Sequence, residues 1–228
     1  MSFDGFPQAG LTFLAELEVN NQKAWFERNK SRYQQDLLEP AQRFVAVMGE
    51  ALKTIAPEIQ YDTRTNGSGS LMRIYRDVRF SADKTPYKTN ISGLFWQGPG
   101  KKNASPAFGF RLQAFGMDLM AGIFGFPKPM LAAYQEAVAD DHRGPDLAKL
   151  VANLKQSAGY EVYGELYKRV PRAYDADHPR AKLLKYKGLY AHPVSSISAA
   201  VICSSGCVAQ CLAHFEEMAP LQQWLAKL

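Results

Sequence analysis

The chain has 228 residues, 46% of them hydrophobic and 21% charged, which is enough apolar material for one good-sized core. Its formal net charge of +5 is mildly basic, compatible with phosphate-bearing partners but well short of the basic tracts of a dedicated nucleic-acid binder. The opening Met-Ser-Phe-Asp-Gly-Phe-Pro has no basic and apolar leader pattern, and the most apolar late stretch, Ile197 to Cys203, is too short to span a bilayer; a single-domain cytoplasmic protein with no membrane partner is expected.

Residues Gln8 to Glu18 carry Leu11, Leu14 and Leu17 at three-residue spacing with Phe13 alongside, the pattern of a short amphipathic helix. Asn20-Asn21 breaks it and caps a second helix running towards Leu38, with Phe26, Asn29, Tyr33 and Leu37 along one face and Lys23, Arg28, Lys30 and Arg32 on the others. Asn29, an amide between aromatics, needs hydrogen-bond partners if it is buried. Pro40 fits the first turn of a third helix, on which Ala41, Phe44, Val45, Met48, Leu52 and Ile55 keep helical period up to Pro57. These helices make an N-terminal part at about 6–56.

Thr63 to Ser70, with Asn66-Gly67-Ser68-Gly69, reads as a flexible loop without a phosphate-binding frame. A central sheet is expected at about 70–126. Leu71 to Phe80 alternates as a strand, Ser81 opens a turn, and Ile91 to Trp96 returns as the second arm of a hairpin-like unit. After the loop Gly98-Pro99-Gly100-Lys101-Lys102-Asn103, two more strands, Ala107 to Phe115 and on to Phe126, complete a four-strand meander. From about 128 to 228 the chain reads mainly as helices, one carrying Met130, Leu131, Tyr134 and Val138, another Leu147 to Leu154, and a last one from about Ser205, with a short strand near Tyr160. The fold class is therefore α+β: an antiparallel, largely meander sheet covered by N-terminal and C-terminal helices.

The chemistry concentrates between Arg73 and Asn90, where Arg73, Arg76, Arg79, Lys84 and Lys88 face only Asp77 and Asp83. Arginine forks and lysines converging near a turn suit phosphate or carboxylate groups, with Asp77 orienting a guanidinium and Ser81 and Tyr87 adding hydroxyl donors. In an enzymatic version, Asp83 or Lys84 would handle a proton while the arginines stabilise developing charge. Lys30, Tyr33, Arg169 and His178 are second-rank candidates to converge on the same turn. His178, between Asp177 and Pro179, suits either a general base or a loop histidine beside a helix cap.

The run Arg73-Ile-Tyr-Arg-Asp-Val-Arg-Phe-Ser-Ala-Asp-Lys-Thr-Pro-Tyr-Lys-Thr resembles the signature of the DUF2461 family, conserved hypothetical proteins of bacteria and fungi. Asn20-Asn21 with Trp25-Phe26, Lys30, Tyr33 and Pro40 resembles the family's opening; Ala121-Gly122-Ile123-Phe124 through Pro129 and Leu131 resembles its middle, and Lys168-Arg169-Val170-Pro171 with His178-Pro179 and Lys185 its later part. Tyr134-Gln135 stand where that pattern leads one to expect an arginine. The resemblance implies no activity.

The competing reading is a structural ion-pair network, in which Asp77 and Asp83 hold the arginines and fix the segment in a protein-interaction module. A weak nucleic-acid binder, using Lys101-Lys102, Trp96 and the basic second helix, is a further alternative without a recognisable motif. Ser81-Ala82-Asp83-Lys84 fits the Ser-x-x-Lys frame of serine acyl-enzymes, but Pro86 shortens any helix and the companion elements are missing. Cys203, Cys207 and Cys211 lie at helical spacing and read as reduced, mostly buried thiols. No cofactor or metal is expected, since no histidine falls in a ligand spacing.

Overall fold

The computed structural model describes residues 2–98, 100–157 and 159–228, so Pro99 of the glycine-rich loop lies outside the described residues. The fold is α+β, with an antiparallel sheet and helices towards both ends of the chain. Its strands are β1 (Ile59–Gln60), β2 (Ile91–Gln97), β3 (Ala107–Leu112), β4 (Gly116–Ile123), β5 (Tyr160–Tyr163), β6 (Leu189–Pro193) and β7 (Ile197–Ser198), ordered β1-β2-β3-β4-β6-β5 with β7 also on β4. The meander is thus β2 to β4. Among the described residues, no helix is long and apolar enough to cross a membrane.

The chain divides into two compact units, of which the first takes Met1–Phe95, Gly109–Leu119 and Ser196–Ala213. Its opening helix α1 (Gln8–Val19) buries Leu11, Phe13, Leu14 and Leu17 as the spacing required. Each fully buried leucine contributes on the order of 2 kcal/mol. The expected second helix is broken into α2 (Lys23–Arg28), α3 (Lys30–Arg32) and a π-helical turn (Tyr33–Leu38) that runs into α4 (Glu39–Leu52). Pro40 has no N–H to return to the Asp36 carbonyl, and the wider π turn carries the ladder past the missing donor. Gly10 packs on that same carbonyl, where an added Cβ would meet Asp36 O at 2.3 Å.

Asn21 does not cap α2. The cap position is Gln22, with no side-chain hydrogen bond, because the Asn21 amide is engaged elsewhere. Asn29 does find partners, donating Nδ2 to the Trp25 carbonyl at 2.9 Å and accepting from Arg32 Nη1 at 3.1 Å. Phe3, Phe6 and Phe44 form an aromatic triad at 5.1 to 5.4 Å, and Phe110 of β3 packs edge-on against Phe44 at 4.9 Å. Short helix α8 (Ala199–Ile202) follows β7, and the start of α9 (Cys207–Ala226) buries Cys207 and Cys211 as free thiols.

The second unit takes Trp96–Phe108, Met120–Ser195 and His214–Leu228. It is less helical than expected, because β5 and β6 pair antiparallel along four residues and β6 continues onto β4, with Ala121 opposite Ala191. Helices α5 (Lys128–Ala139) and α6 (Arg143–Gln156) pack together, and Tyr134 of α5 is fully buried, its hydroxyl donating to the Leu183 carbonyl of α7 (Ala181–Leu184) at 2.9 Å. The guanidinium of Arg180 closes the end of α5, with Nε donating to Val138 O at 2.6 Å and Nη2 to Ala139 O and Asp140 O at 2.9 and 3.1 Å.

Candidate functional site

The cation-rich segment lies wholly in the first unit. It is not the regular strand that side-chain alternation suggests. Residues 70–72 bond to β2, with Met72 N donating to Ser92 O and Leu94 N to Ser70 O, around a single bridge between Leu71 and Gly93. Gly93 also makes room for Phe110, whose ring an added Cβ would meet at 2.5 Å.

The chain then changes partner and folds on itself. Lys88 N donates to Ile74 O and Arg76 N to Pro86 O, flanking a bridge between Tyr75 and Tyr87. Pro86 offers no N–H to extend that ladder, and the other edge of Tyr87 is taken by Asn21, whose Nδ2 donates to Tyr87 O at 2.9 Å while its Oδ1 accepts Tyr87 N–H at 3.1 Å. A side-chain amide here does the work of a strand. The expected hairpin of 71–80 with 91–96 is therefore replaced by a smaller self-paired loop.

Side chains close the tip of that loop. Arg79 forks onto Asp77 through Nε at 2.9 Å and Nη2 at 2.6 Å, and its guanidinium lies 5.8 Å over Phe80, whose ring is 96% exposed. Arg76 reaches both Asp83 and the Thr85 hydroxyl. Asp83 also accepts the Thr85 N–H at 2.9 Å, and this backbone bond first, then Arg76, holds its carboxyl down at about 2. So stable an anion is a poor proton acceptor. Lys84 donates Nζ to the Val78 carbonyl at 2.9 Å, whereas the Ser81 hydroxyl makes no hydrogen bond among the described residues. Ser81 and Lys84 thus sit in an irregular loop with no long helix to activate the serine.

Two of the five cations remain. Among the described residues, neither the Arg73 guanidinium nor the Lys88 ammonium has a carboxylate or a side-chain hydrogen bond. Arg73 is exposed and packs beside the Asn66–Gly69 loop, close enough that a Cβ on Gly67, at φ 89°, would meet its Nε at 3.0 Å. Lys88 is half-buried, and burial first, then the nearby Arg73 charge, pushes its ammonium below the usual lysine range. Like charges with no counter-ion are an unfavourable arrangement that an anion would relieve.

The phenols gather beside them. Phe26 of α2 stacks on Tyr87 at 4.1 Å and touches Tyr33 at 5.3 Å and Tyr75 at 6.4 Å, so Tyr33, Tyr75 and Tyr87 share one aromatic cluster. Burial, then the proximity of Tyr75, pushes Tyr33 up to about 12, and Tyr87 is raised for the same reasons. Tyr33 and Tyr87 are therefore neutral hydroxyl donors at pH 7.

The other candidates are placed differently. Lys30 is exposed and faces Glu27 at 4.0 Å. Arg169 and His178 belong to the second unit. Arg169 is exposed in a bend, and His178 accepts the Arg180 N–H on Nδ1 at 3.0 Å just ahead of α7, which fixes its proton on Nε2 when neutral. Sequence reasoning missed Asn21, Gly67 and Tyr75. Tyr75 was legible as the exposed partner of Arg73 at two-residue spacing, whereas Asn21 carried only a misleading cap signal. Among the described residues, no group of three His, Cys, Asp or Glu is placed to hold a metal.

Compared with known proteins, residues 9–224 match the model of a family described as "Conserved hypothetical protein (DUF2461)". No curated protein and no solved structure matches the chain.

Proposed function

The chain belongs to the DUF2461 family, and from this premise we propose that it is a cytoplasmic protein binding a phosphate- or carboxylate-bearing small molecule at Arg73 and Lys88. One observation carries the reading: in a segment where Asp77 and Asp83 neutralise Arg79 and Arg76, the half-buried Lys88 and the adjacent Arg73 have no counter-ion among the described residues. Arginine supplies a planar fork and lysine a point charge, the pairing that a doubly charged group with several oxygens satisfies best. The hydroxyls of Tyr75 and Tyr87 add donors on the same ladder. A cytoplasmic setting is supported by the three free cysteines.

A second reading is favoured for the outer half of the segment. The Arg76–Asp83–Thr85 and Arg79–Asp77 pairs are satisfied within the loop and hold its shape, as a structural ion-pair network does. The nucleic-acid alternative at Lys101-Lys102 and Trp96 draws less support, since Lys102 is only 9% exposed.

Calorimetric titration with inorganic phosphate, pyrophosphate, citrate and a nucleoside monophosphate tests the reading. Wild type binds at least one of them, Arg73→Met and Lys88→Met each lose it, and Arg79→Met keeps it. Absence of binding by all four, or equal loss in Arg79→Met, would overturn the assignment.

A further inference from the structure

We infer that the second unit carries a stacking surface for single-stranded nucleic acid on the outer face of β5 and β6. The register places Tyr163 opposite Tyr190 and Glu161 opposite His192, while the intervening Val162 and Ala191 face inwards and are buried. Strand alternation therefore puts Tyr163, Tyr190 and His192 together on the other face.

The ring geometry is that of a patch. Tyr163 lies 4.8 Å from His192 at 18°, Tyr163 lies 6.3 Å from Tyr190 at 24°, and Tyr190 lies 6.4 Å from His192 at 30°. Nearly parallel rings 4.8 Å apart are too close to lie side by side, so Tyr163 and His192 are stacked on one another, and Tyr163 remains 44% exposed. Across the sheet Tyr190 faces Gly122 of β4, which has no side chain to cover it, and Phe124 extends the patch at 4.7 Å while 59% exposed. Polar groups accompany the rings, and the Tyr163 hydroxyl donates to the Glu161 carboxylate on the same face. His192 Nδ1 donates to the Pro193 carbonyl at 2.7 Å, leaving Nε2 as an acceptor, and the Tyr190 hydroxyl has no partner among the described residues.

Charge selects the occupant. The β5–β6 ladder continues past Gly164 and Gly188 through a bridge between Leu166 and Tyr186, with Lys187 N donating to Glu165 O and Tyr167 N to Lys185 O. There Lys187 pairs with Glu165 and its Nζ lies 5.0 Å over the Tyr167 ring, whereas Lys168, Arg169 and Lys185 have no acidic partner among the described residues. Aromatic rings on an open antiparallel face, followed along the same ladder by unneutralised cations, match unpaired bases joined by phosphates. A duplex, whose bases are already stacked, gains nothing from the rings.

The test is fluorescence anisotropy of the full chain with labelled twelve-nucleotide single strands of RNA and DNA and with the matching duplex. Wild type binds a single strand more tightly than the duplex. Tyr163→Ser and Phe124→Ser each weaken single-strand binding about tenfold, the loss of one stacked base, while Tyr163→Phe retains it. Lys168→Gln with Arg169→Gln lowers the salt dependence by about 1.4, from two phosphate contacts. Lys88→Met leaves binding unchanged, which separates this surface from the anion site. Circular dichroism confirms that each variant is folded, and Tyr163→Leu replaces Tyr163→Ser if the latter is not. Equal affinity for duplex and single strand, binding indifferent to both serine substitutions, no binding of any strand, or self-association of the chain that Tyr163→Ser abolishes would each overturn the inference.

Discussion

The side-chain amide of Asn21 satisfies both backbone groups of Tyr87, across 66 residues of sequence. Replacement by Leu leaves a half-buried N–H and a carbonyl without their partners, and at about 1 kcal/mol for each bond the chain loses roughly 2 kcal/mol. The Asp variant fares no better, since a carboxylate turns an oxygen towards the Tyr87 carbonyl. Denaturant melts of Asn21→Leu and Asn21→Asp measure this, and a loss below roughly 0.5 kcal/mol would show that water replaces the amide.

Lys88 supplies a pH dependence with a definite sign. Its folded-state value is depressed, so the unfolded chain holds the proton more tightly and the penalty of the charge is fully present below the folded value. As pH rises through that value towards the ordinary lysine value of about 10.4, the penalty is relieved and stability increases. Unfolding free energies at pH 7 to 10.5 therefore shift in favour of wild type over Lys88→Met as pH rises. A difference that stays flat would mean that Lys88 is solvated like a surface lysine.

Asp83 has the same sign, in the acid range. Its contribution is present above the ordinary value of 3.8 and is lost as pH falls through about 2. Carboxyl carbon NMR should place its midpoint near 2 in wild type. In Arg76→Met the midpoint rises but stays below the ordinary value, because the larger influence, the Thr85 N–H, remains. A return to the ordinary value would make Arg76 the dominant partner.

Arg180 is the prediction for the second unit. Its side chain is 13% exposed and serves three carbonyls at the end of α5, so Arg180→Met strands those acceptors. A loss of about 2 to 3 kcal/mol is expected, a fall in Tm of about 4 to 12 °C for a chain of this size. Lysine does not rescue it, since one ammonium cannot reproduce the fork. A thermal melt unchanged within about 2 °C would contradict this.

The sequence was most readable where one element decides its own burial. Leu11, Leu14 and Leu17 announce α1, and Cys207 and Cys211 announce the buried side of α9. It was least readable where pairing depends on a distant partner. Leu71 to Phe80 alternates like a strand, yet its hydrogen bonds are divided between β2 and residues 86–88, an outcome set by Pro86 and Asn21. Strands β6 and β7 are five and two residues long, too short for a periodic signal. The candidate site shows the same division. Five cations against two aspartates were visible at once, but which cations the aspartates satisfy depends on the turn, and the pair left over, Arg73 and Lys88, stands at the two ends of the motif.

The π turn ahead of Pro40 has a consequence for how this chain tolerates insertion and deletion. Such a turn is an α-helix holding one surplus residue, and each residue rotates the helix by about 100°. Phe44, Val45 and Met48 face the core only in the phase that the surplus residue sets. Excision of Gln35, an exposed residue whose side chain touches nothing essential, would turn α4 about its own axis and bring Gln42 and Arg43 towards the apolar side. A position indifferent to substitution is therefore intolerant of removal: its identity is free, and its presence is counted.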